Sequence, residues 1–209
     1  MSYKTNSHER SLVLIKPDGV QRGLIGEVIS RFEKKGLKIT AMKLAWPTKE
    51  LAAKHYDQPH EAMMLLGTRT LQAYEEKGVK HHISDPIEIA KDIQKKLVKF
   101  LVTGPVVAMV IEGAHAIQHV RKMRGHTNPL AADVGTITAD LTIDSYFIAD
   151  DAERAIRNLV HASGSVDEAE NEIKIWFKES EICDYDLAIE KILYSKEWEE
   201  ERADMVKGK

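Results

Sequence analysis

The segment RNLVHASGS, residues 157–165, sets His161 between Asn-Leu-Val and three small residues, Ala162, Ser163 and Gly164. No bulky neighbour in sequence blocks a substrate from the ring. Imidazole has an unperturbed pKa of about 6.5, so its nucleophilic neutral form is abundant at pH 7. Eleven residues on, Glu172 falls in the apolar-periodic run Val166–Phe177, from which a helix can aim its carboxylate back at the ring and fix the tautomer. Read alone, the position also suits a satisfied, half-buried structural histidine. Phosphate-binding glycine loops of the Gly-x-x-x-x-Gly-Lys-Ser/Thr or G-x-G-x-x-G type are absent from the sequence, so a bound phosphate has to be held by side chains. The candidates are Lys16, Arg121, Thr127, Asn128, Arg157 and Asn158, scattered along the chain. Each alone reads more simply as a solvated charge or a loop cap.

The elements around these residues decide whether they converge. Ser11–Ile15 is a short β-rich run, and Lys16-Pro17-Asp18-Gly19 stops it with turn chemistry, so a strand ends by presenting a lysine. Leu24, Ile25, Val28, Ile29 and Phe32 repeat at helical spacing up to Gly36. Leu37–Trp46 alternates as a second strand, with Leu37, Ile39, Ala41 and Leu44 facing inward; Thr48 then caps a helix over Lys49–Tyr56. Ala62–Leu66 and Thr70–Glu76 read as short helical pieces split by Gly67, and Pro86–Leu101 as a longer amphipathic helix. Val106–Ile111 is apolar on both faces, as in a central strand, and Ala114–Met123 follows as a helix. Arg124–Asp140 reads as a long loop with a turn at Leu130–Asp133, and Ala152–Arg157 as a helical turn. Leu159–Ala162 is a fourth strand, and Ser165 with Glu168 forms a capping box ahead of the Glu172 helix.

This order suits an α+β, ferredoxin-like βαββαβ fold: a four-stranded antiparallel sheet covered by helices, with a helical insertion and a helical C-terminal tail. One domain is expected over residues 1–209, with a helical segment at 58–102 and a charged helical extension at 178–209. With the first and last strands near the sheet centre, Lys16 and His161 come within reach of one substrate.

A chain of 209 residues can bury a true core. Its net charge of -3 gives no general pull toward nucleic acid or an anionic membrane, so any anion is held locally. The single cysteine, Cys183, excludes an intramolecular disulfide framework and fits a reducing compartment. The polar N-terminus and the lack of any run near the ~18 apolar residues of a membrane helix point to a cytoplasmic protein without a membrane association.

Six stretches carry a resemblance: SLVLIKPDGVQRGLIGEVISRFEKKGLKI, the pair His55-Tyr56, TGPVVAMVIEGAHAIQHVRKMRGHTNP, Gly135–Ile137, RNLVHASGS and DEAENEIKIWF. Together they resemble the nucleoside diphosphate kinase family, in its order and, outside one insertion of about thirty residues, with its spacing. The resemblance implies transfer of the γ-phosphate of ATP or another triphosphate to a nucleoside diphosphate, ping-pong, with His161 as the carrier. It implies that Glu172 orients the ring and Ser163 hydrogen-bonds it. Lys16, Arg121 and Thr127 would hold phosphate oxygens, Asn158 the sugar and phosphate region, and Tyr56 would sit beside the lysine. No protein-held metal is implied; Mg²⁺ would arrive with the nucleotide. The resemblance also implies a homo-oligomer, a hexamer or tetramer.

Three departures stand out. Thr138 occupies the place of a phosphate-binding arginine, Gly164 that of an acidic residue after the active-site serine, and Ile93 falls near the phenylalanine that stacks on the base. Within 58–102, Arg69 and Lys80-His81-His82 are candidates to face phosphate from a lid. Two other readings compete with the enzyme: a nucleotide-binding or regulatory module with weakened turnover, favoured by Thr138 and Gly164, and an RNA-binding module, disfavoured by charge and by the lack of an aromatic sheet motif.

Overall fold

The computed structural model describes residues 7–76 and 78–207. Leu12, Val13, Leu14 and Ile15 are all fully buried, so β1 (His8–Ile15) is covered on both faces, which requires strands at its sides and helices above and below. The sheet order is β2-β3-β1-β4, with β2 at Lys38–Ala45, β3 at Val106–Ala114 and β4 at Val160–Ala162, every pair antiparallel. This is the ferredoxin-like arrangement expected from the order of elements. One expectation is corrected: β1 and β3 are central, but β4, which carries His161, is a three-residue edge strand. What brings Lys16 and His161 together is their adjacency across the β1–β4 pair.

The two faces hold separate cores. Val13, Ile15, Met109 and Ile111 pack beneath α2 (Ile25–Lys34) and α6 (Ala116–Arg124), through residues such as Val28, Phe32 and Val120. Leu12, Leu14, Ala108 and Val110 pack beneath α3 (Lys49–His55), α5 (Pro86–Leu101) and α9 (Val166–Trp176), through Ala52, Leu101, Ile173 and Trp176. A bulge in β2 between Ile39 and Ala41 moves the chain from one core to the other: Leu37 and Ile39 belong to the first, Ala41 to the second. Simple alternation therefore fails past Thr40, and Leu44 is 64% exposed, not inward.

Several local readings also change. Lys16-Pro17-Asp18-Gly19 is not a bare turn but the start of a short helix, α1 (Pro17–Gln21), with Pro17 in its first turn. Gly67 does not split two helices. It lies inside one, α4 (His60–Glu76), because a Cβ there would sit 1.8 Å from the Pro86 carbonyl oxygen, where the start of α5 crosses it. Glycine at that point serves a close backbone approach, which sequence alone does not distinguish from a break. The end of the expected loop Arg124–Asp140 is instead the start of α7 (Ile137–Leu141), capped by Thr136; beyond it, α8 (Tyr146–Asp151), capped by Ser145, precedes Ala152–Arg157, which is not helical. Ser165 caps α9 by accepting from Glu168 N, but the Glu168 carboxylate turns back to Gly164 N, not to the cap, so the box is half formed.

Helices α3, α4 and α5 form the β2–β3 connection, and the far end of α4 reaches α8, where Tyr74 donates to Asp150 at 2.7 Å. After α9, the chain runs along β2: Cys183 N donates to Thr40 O, Tyr185 hydroxyl to Ile39 O, and Glu190 at the start of α10 (Glu190–Tyr194) pairs with Lys38. Helix α11 (Glu197–Lys207) follows.

Candidate active site

Antiparallel register puts His161 opposite Leu14 and Ser163 N within reach of Leu12 O, so both side chains of this alternate pair share the face beneath α3, α5 and α9. Helix α9 crosses that face and presents Glu172, buried, from its side toward β4. Glu172 Oε1 lies 2.8 Å from His161 Nε2, although the contact is not aligned as a hydrogen bond. Its Oε2 accepts from the Ser163 hydroxyl at 2.6 Å, and Ser163 Oγ accepts from Leu12 N at 3.0 Å. The carboxylate is thus locked to the central strand through one serine. Burial raises the Glu172 carboxyl, with His55 and the Ser163 hydrogen bond opposing.

A second histidine sits against the first. His55, the last residue of α3, is buried with its ring centroid 4.4 Å from that of His161, edge to face. Trp176 Nε1 donates to His55 Nδ1 at 3.4 Å, which places the proton of a neutral His55 on Nε2. His55, His161 and Glu172 offer ligand atoms within 4.8 Å of one another. Metal spacing is met, but His55 Nδ1 is taken by Trp176 and Glu172 Oε2 by Ser163, so these residues are engaged in holding one another. Both rings are pushed down to about 3: His161 by burial, with Lys16, Arg124 and Arg121 adding positive charge against Glu168, and His55 by burial and by His161 itself. His161 is therefore a neutral imidazole at pH 7. Its side chain remains 18% exposed, enough for a ligand to reach it.

The lysine arrives from the neighbouring strand. Lys16, the N-cap of α1, donates its ammonium to Asn158 Oδ1 while its backbone N donates to Leu159 O at 2.7 Å. Asn158 Nδ2 in turn donates to Thr127 O at 2.6 Å, so one amide ties the lysine to the loop after α6. Burial lowers Lys16 to about 8, Asp18 opposing and Arg124 reinforcing. Asp18 accepts from Leu159 N at 3.1 Å, and its other oxygen is buried without a partner among the described residues. Leu159 has φ +65°, with Val160 N bonded to Asn158 O, a tight three-residue turn that non-glycine residues rarely adopt. This strained turn delivers Asn158 and His161 to the same place. Upstream, Asp144 holds the incoming segment through both Arg154 guanidinium donors, at 2.7 and 2.9 Å, and Arg157 N at 2.6 Å.

Tyr56 packs its ring 4.7 Å from His55; burial raises its phenol, as do Glu172 and Asp18, so it stays a hydrogen-bond donor. Arg121, exposed on α6, reaches over Gly164, where an added Cβ would come within 3.2 Å of its Nη1 and 2.6 Å of Glu168 Oε2. The Glu168 carboxylate thus lies in the space a side chain at 164 would take. Thr127 accepts at Oγ1 from Arg124. Arg157 is exposed, and Asn128 caps the 3-10 turn Pro129–Ala131. Thr138 is only 1% exposed and its hydroxyl has no partner among the described residues. Ile93 is half-buried on α5, whereas Phe100, two turns on, has its ring 5.8 Å from Lys16 Nζ. Arg69 is exposed on α4, while His81 and His82 stack on each other, His81 also meeting Tyr74 edge-on.

His55 as a ring partner, Trp176, Phe100 and Asp18 were not legible as site residues, since none has a spacing that marks it. Arg124 carried a signal: it follows Arg121 by three residues, one helical turn on the same side. A cleft of about 400 Å³ between α3 and α5, lined by Lys54, Asp57, Lys91 and Lys95, does not include His161.

The nucleoside diphosphate kinase family profile matches residues 9–65 and 60–182. The chain is 44% identical over 180 residues to nucleoside diphosphate kinase of Pyrobaculum aerophilum, covering 84% of this chain and 98% of that one. It is 45% identical to the enzyme of that name in Pyrococcus abyssi, covering 86% and 91%. The crystal structure of the Pyrobaculum aerophilum NDP kinase superposes with a TM-score of 0.81 at 42% identity, over 85% of this chain and 100% of that one. A transition-state mimic of the Borrelia burgdorferi enzyme, with bound vanadate and ADP, matches at 0.76 and 34%, over 91% and 99%. With profile, sequence relatives and fold in agreement over most of its length, this chain belongs to the nucleoside diphosphate kinase family.

Proposed function

We propose that this chain is a working nucleoside diphosphate kinase with His161 as its phosphate carrier. One observation carries the reading: a neutral imidazole, flanked by a carboxylate at Nε2 and by buried Lys16, faces the cations of α6. Glu172 beside Nε2 favours the proton there and leaves the lone pair on Nδ1. That nitrogen attacks the γ-phosphorus of a nucleoside triphosphate; the bond to the bridging oxygen breaks and the diphosphate leaves with the electron pair. An oxygen of a second diphosphate then attacks the phosphoramidate phosphorus, and the N–P bond returns its electrons to the ring. Charge spreads over the transferred oxygens, so positioned cations and donors do most of the work. Lys16 and Arg121 supply the cations, Tyr56, Thr127 and Asn158 the neutral donors. Mg²⁺ enters as part of the nucleotide substrate, held by its phosphates.

The vanadate and ADP complex of the Borrelia relative supports this substrate class. A homo-oligomer, hexamer or tetramer, is part of the proposal: Met42, Leu44 and Trp46 are exposed along the β2 edge, an apolar surface suited to a second copy. So is a cytoplasmic location, which the single free cysteine fits. Among the described residues no helix is long and apolar enough to cross a membrane. Residues 58–102 are proposed as an elaboration of one domain spanning the whole chain.

Incubation with γ-labelled ATP tests the reading. The chain should acquire an acid-labile label that ADP or GDP discharges, and His161→Ala should acquire none. Acid-labile label in His161→Ala would remove the assignment. A wild-type protein that binds nucleotide yet exchanges phosphate only at a trace rate would favour the regulatory module, for which the buried Thr138 is the motive.

A further inference from the structure

Arg124 ends α6, one turn after Arg121, and is half-buried. Burial lowers its pKa, and Arg121 lowers it further. Among the described residues it forms no ion pair with a carboxylate; Glu168 and Tyr146 act on it only through space. Its Nε donates to Gly125 O at 3.2 Å and its Nη2 to Thr127 Oγ1 at 3.4 Å, both weak contacts, and Nη1 has no partner among the described residues. A guanidinium carries five donors in a rigid fork, so most of this one's capacity is unused. A half-buried cation beside another cation, with only the through-space charge of Glu168 to offset it, is costly unless a further anion arrives.

The position says which anion. Arg124 Nη2 reaches Thr127, whose carbonyl accepts from the Asn158 amide that in turn holds the Lys16 ammonium, and the Arg124 charge lowers both Lys16 and His161, the two groups that would meet the transferred phosphate. The end of α6 is pressed against the start of α7: a Cβ on Gly125, which has φ +89°, would stand 2.4 Å from Thr136 Oγ1. Thr138, two residues on, is sealed at 1% exposure and cannot reach a ligand. We propose that Arg124 binds the phosphates of the nucleotide at the transfer site, supplying from α6 the guanidinium that position 138 lacks.

The proposal rests on the phosphotransfer reading, and the test separates the two. Steady-state exchange, the rate of phosphoenzyme formation from γ-labelled ATP, and the thermal shift induced by ADP are measured for the wild type, Arg124→Ala and Arg124→Lys. Arg124→Ala should lose roughly 10- to 100-fold in kcat/KM, as for a lost hydrogen bond to a charged group. The ADP-induced shift should shrink with it. The unliganded unfolding midpoint should hold or rise, because the removed charge has no anionic partner; a merely structural role predicts a fall. Arg124→Lys should recover part of the loss, and guanidinium ion added to Arg124→Ala should recover part as well. Wild-type kinetics in Arg124→Ala, or a loss that neither lysine nor guanidinium relieves, overturns the assignment. A wild type that never forms an acid-labile phosphoenzyme sinks the phosphotransfer reading itself.

Discussion

Glu172 places one carboxylate oxygen 2.8 Å from His161 Nε2 and ties the other, through Ser163, to the central strand β1. The orientation of the ring is thus referred to a buried central strand of the fold, not to a loop. Glu172→Gln keeps the shape and the Ser163 contact but removes the charge that favours a proton on Nε2. Phosphoenzyme formation should slow by roughly 10- to 100-fold, the rate equivalent of about 1.5–3 kcal/mol in a charge-assisted contact. Quench-flow labelling would measure it, and an unchanged rate would show that the ring is oriented by something else.

Acid should weaken the fold through its paired histidines. His55 and His161 are both held near 3 against an ordinary value of about 6.5, burial being the first cause in each. The unfolded chain binds protons below pH 6.5 where the folded chain does not, so the stability these rings contribute is whole above about 6.5 and drains away as pH falls toward 3. The upper limit is about 1.4 kcal/mol per pH unit for each ring, less for a pair that shares its protons. Denaturant titrations from pH 7 to 4 should show this slope, reduced in His161→Gln; equal slopes in the two proteins would contradict it. Phosphoenzyme formation should persist at pH 5, where a free imidazole is mostly protonated.

Gly67→Ala should be among the most damaging single-methyl changes in the chain. The new Cβ meets the Pro86 carbonyl at 1.8 Å, a backbone contact with no side chain to swing away, so α4 and α5 must separate. Overpacking of this kind costs about 1–3 kcal/mol, and a backbone clash belongs at or above the top of that range. A melting temperature within a degree of wild type would mean that the helices slide without loss.

Restoring an arginine at position 138 should not help the unaltered chain. Thr138 is sealed within α7, so Thr138→Arg either buries a second unpaired guanidinium or distorts the helix to expel it. The expected result is a lower melting temperature and no gain in kcat/KM. A tenfold gain would reveal an empty phosphate contact and would count against Arg124 as its occupant.

The chain by itself determined the elements whose signals are local. Helix α5 spans Pro86–Leu101 as its apolar spacing requires; Thr48 and Ser165 cap the helices they precede; and the two-faced apolarity of Val106–Ile111 marks a central strand. The resemblance of its motifs was enough to point to the family. Periodicity and capping act over a few residues, so they survive in the sequence. Other features were decided only by tertiary packing. The bulge that turns Leu44 outward, the crossing of α5 over Gly67, and the edge position of β4 each depend on a neighbour far along the chain. The same holds for the site: His55 against His161, Trp176 behind His55, Asp18 beneath Leu159, and Arg124 linked through Thr127 and Asn158 to Lys16 come together because antiparallel register sets β4 beside β1 and α3, α6 and α9 close around that edge. Such a convergence leaves no spacing to read, since the groups that perturb one another are distant in sequence and neighbours only once the sheet has formed.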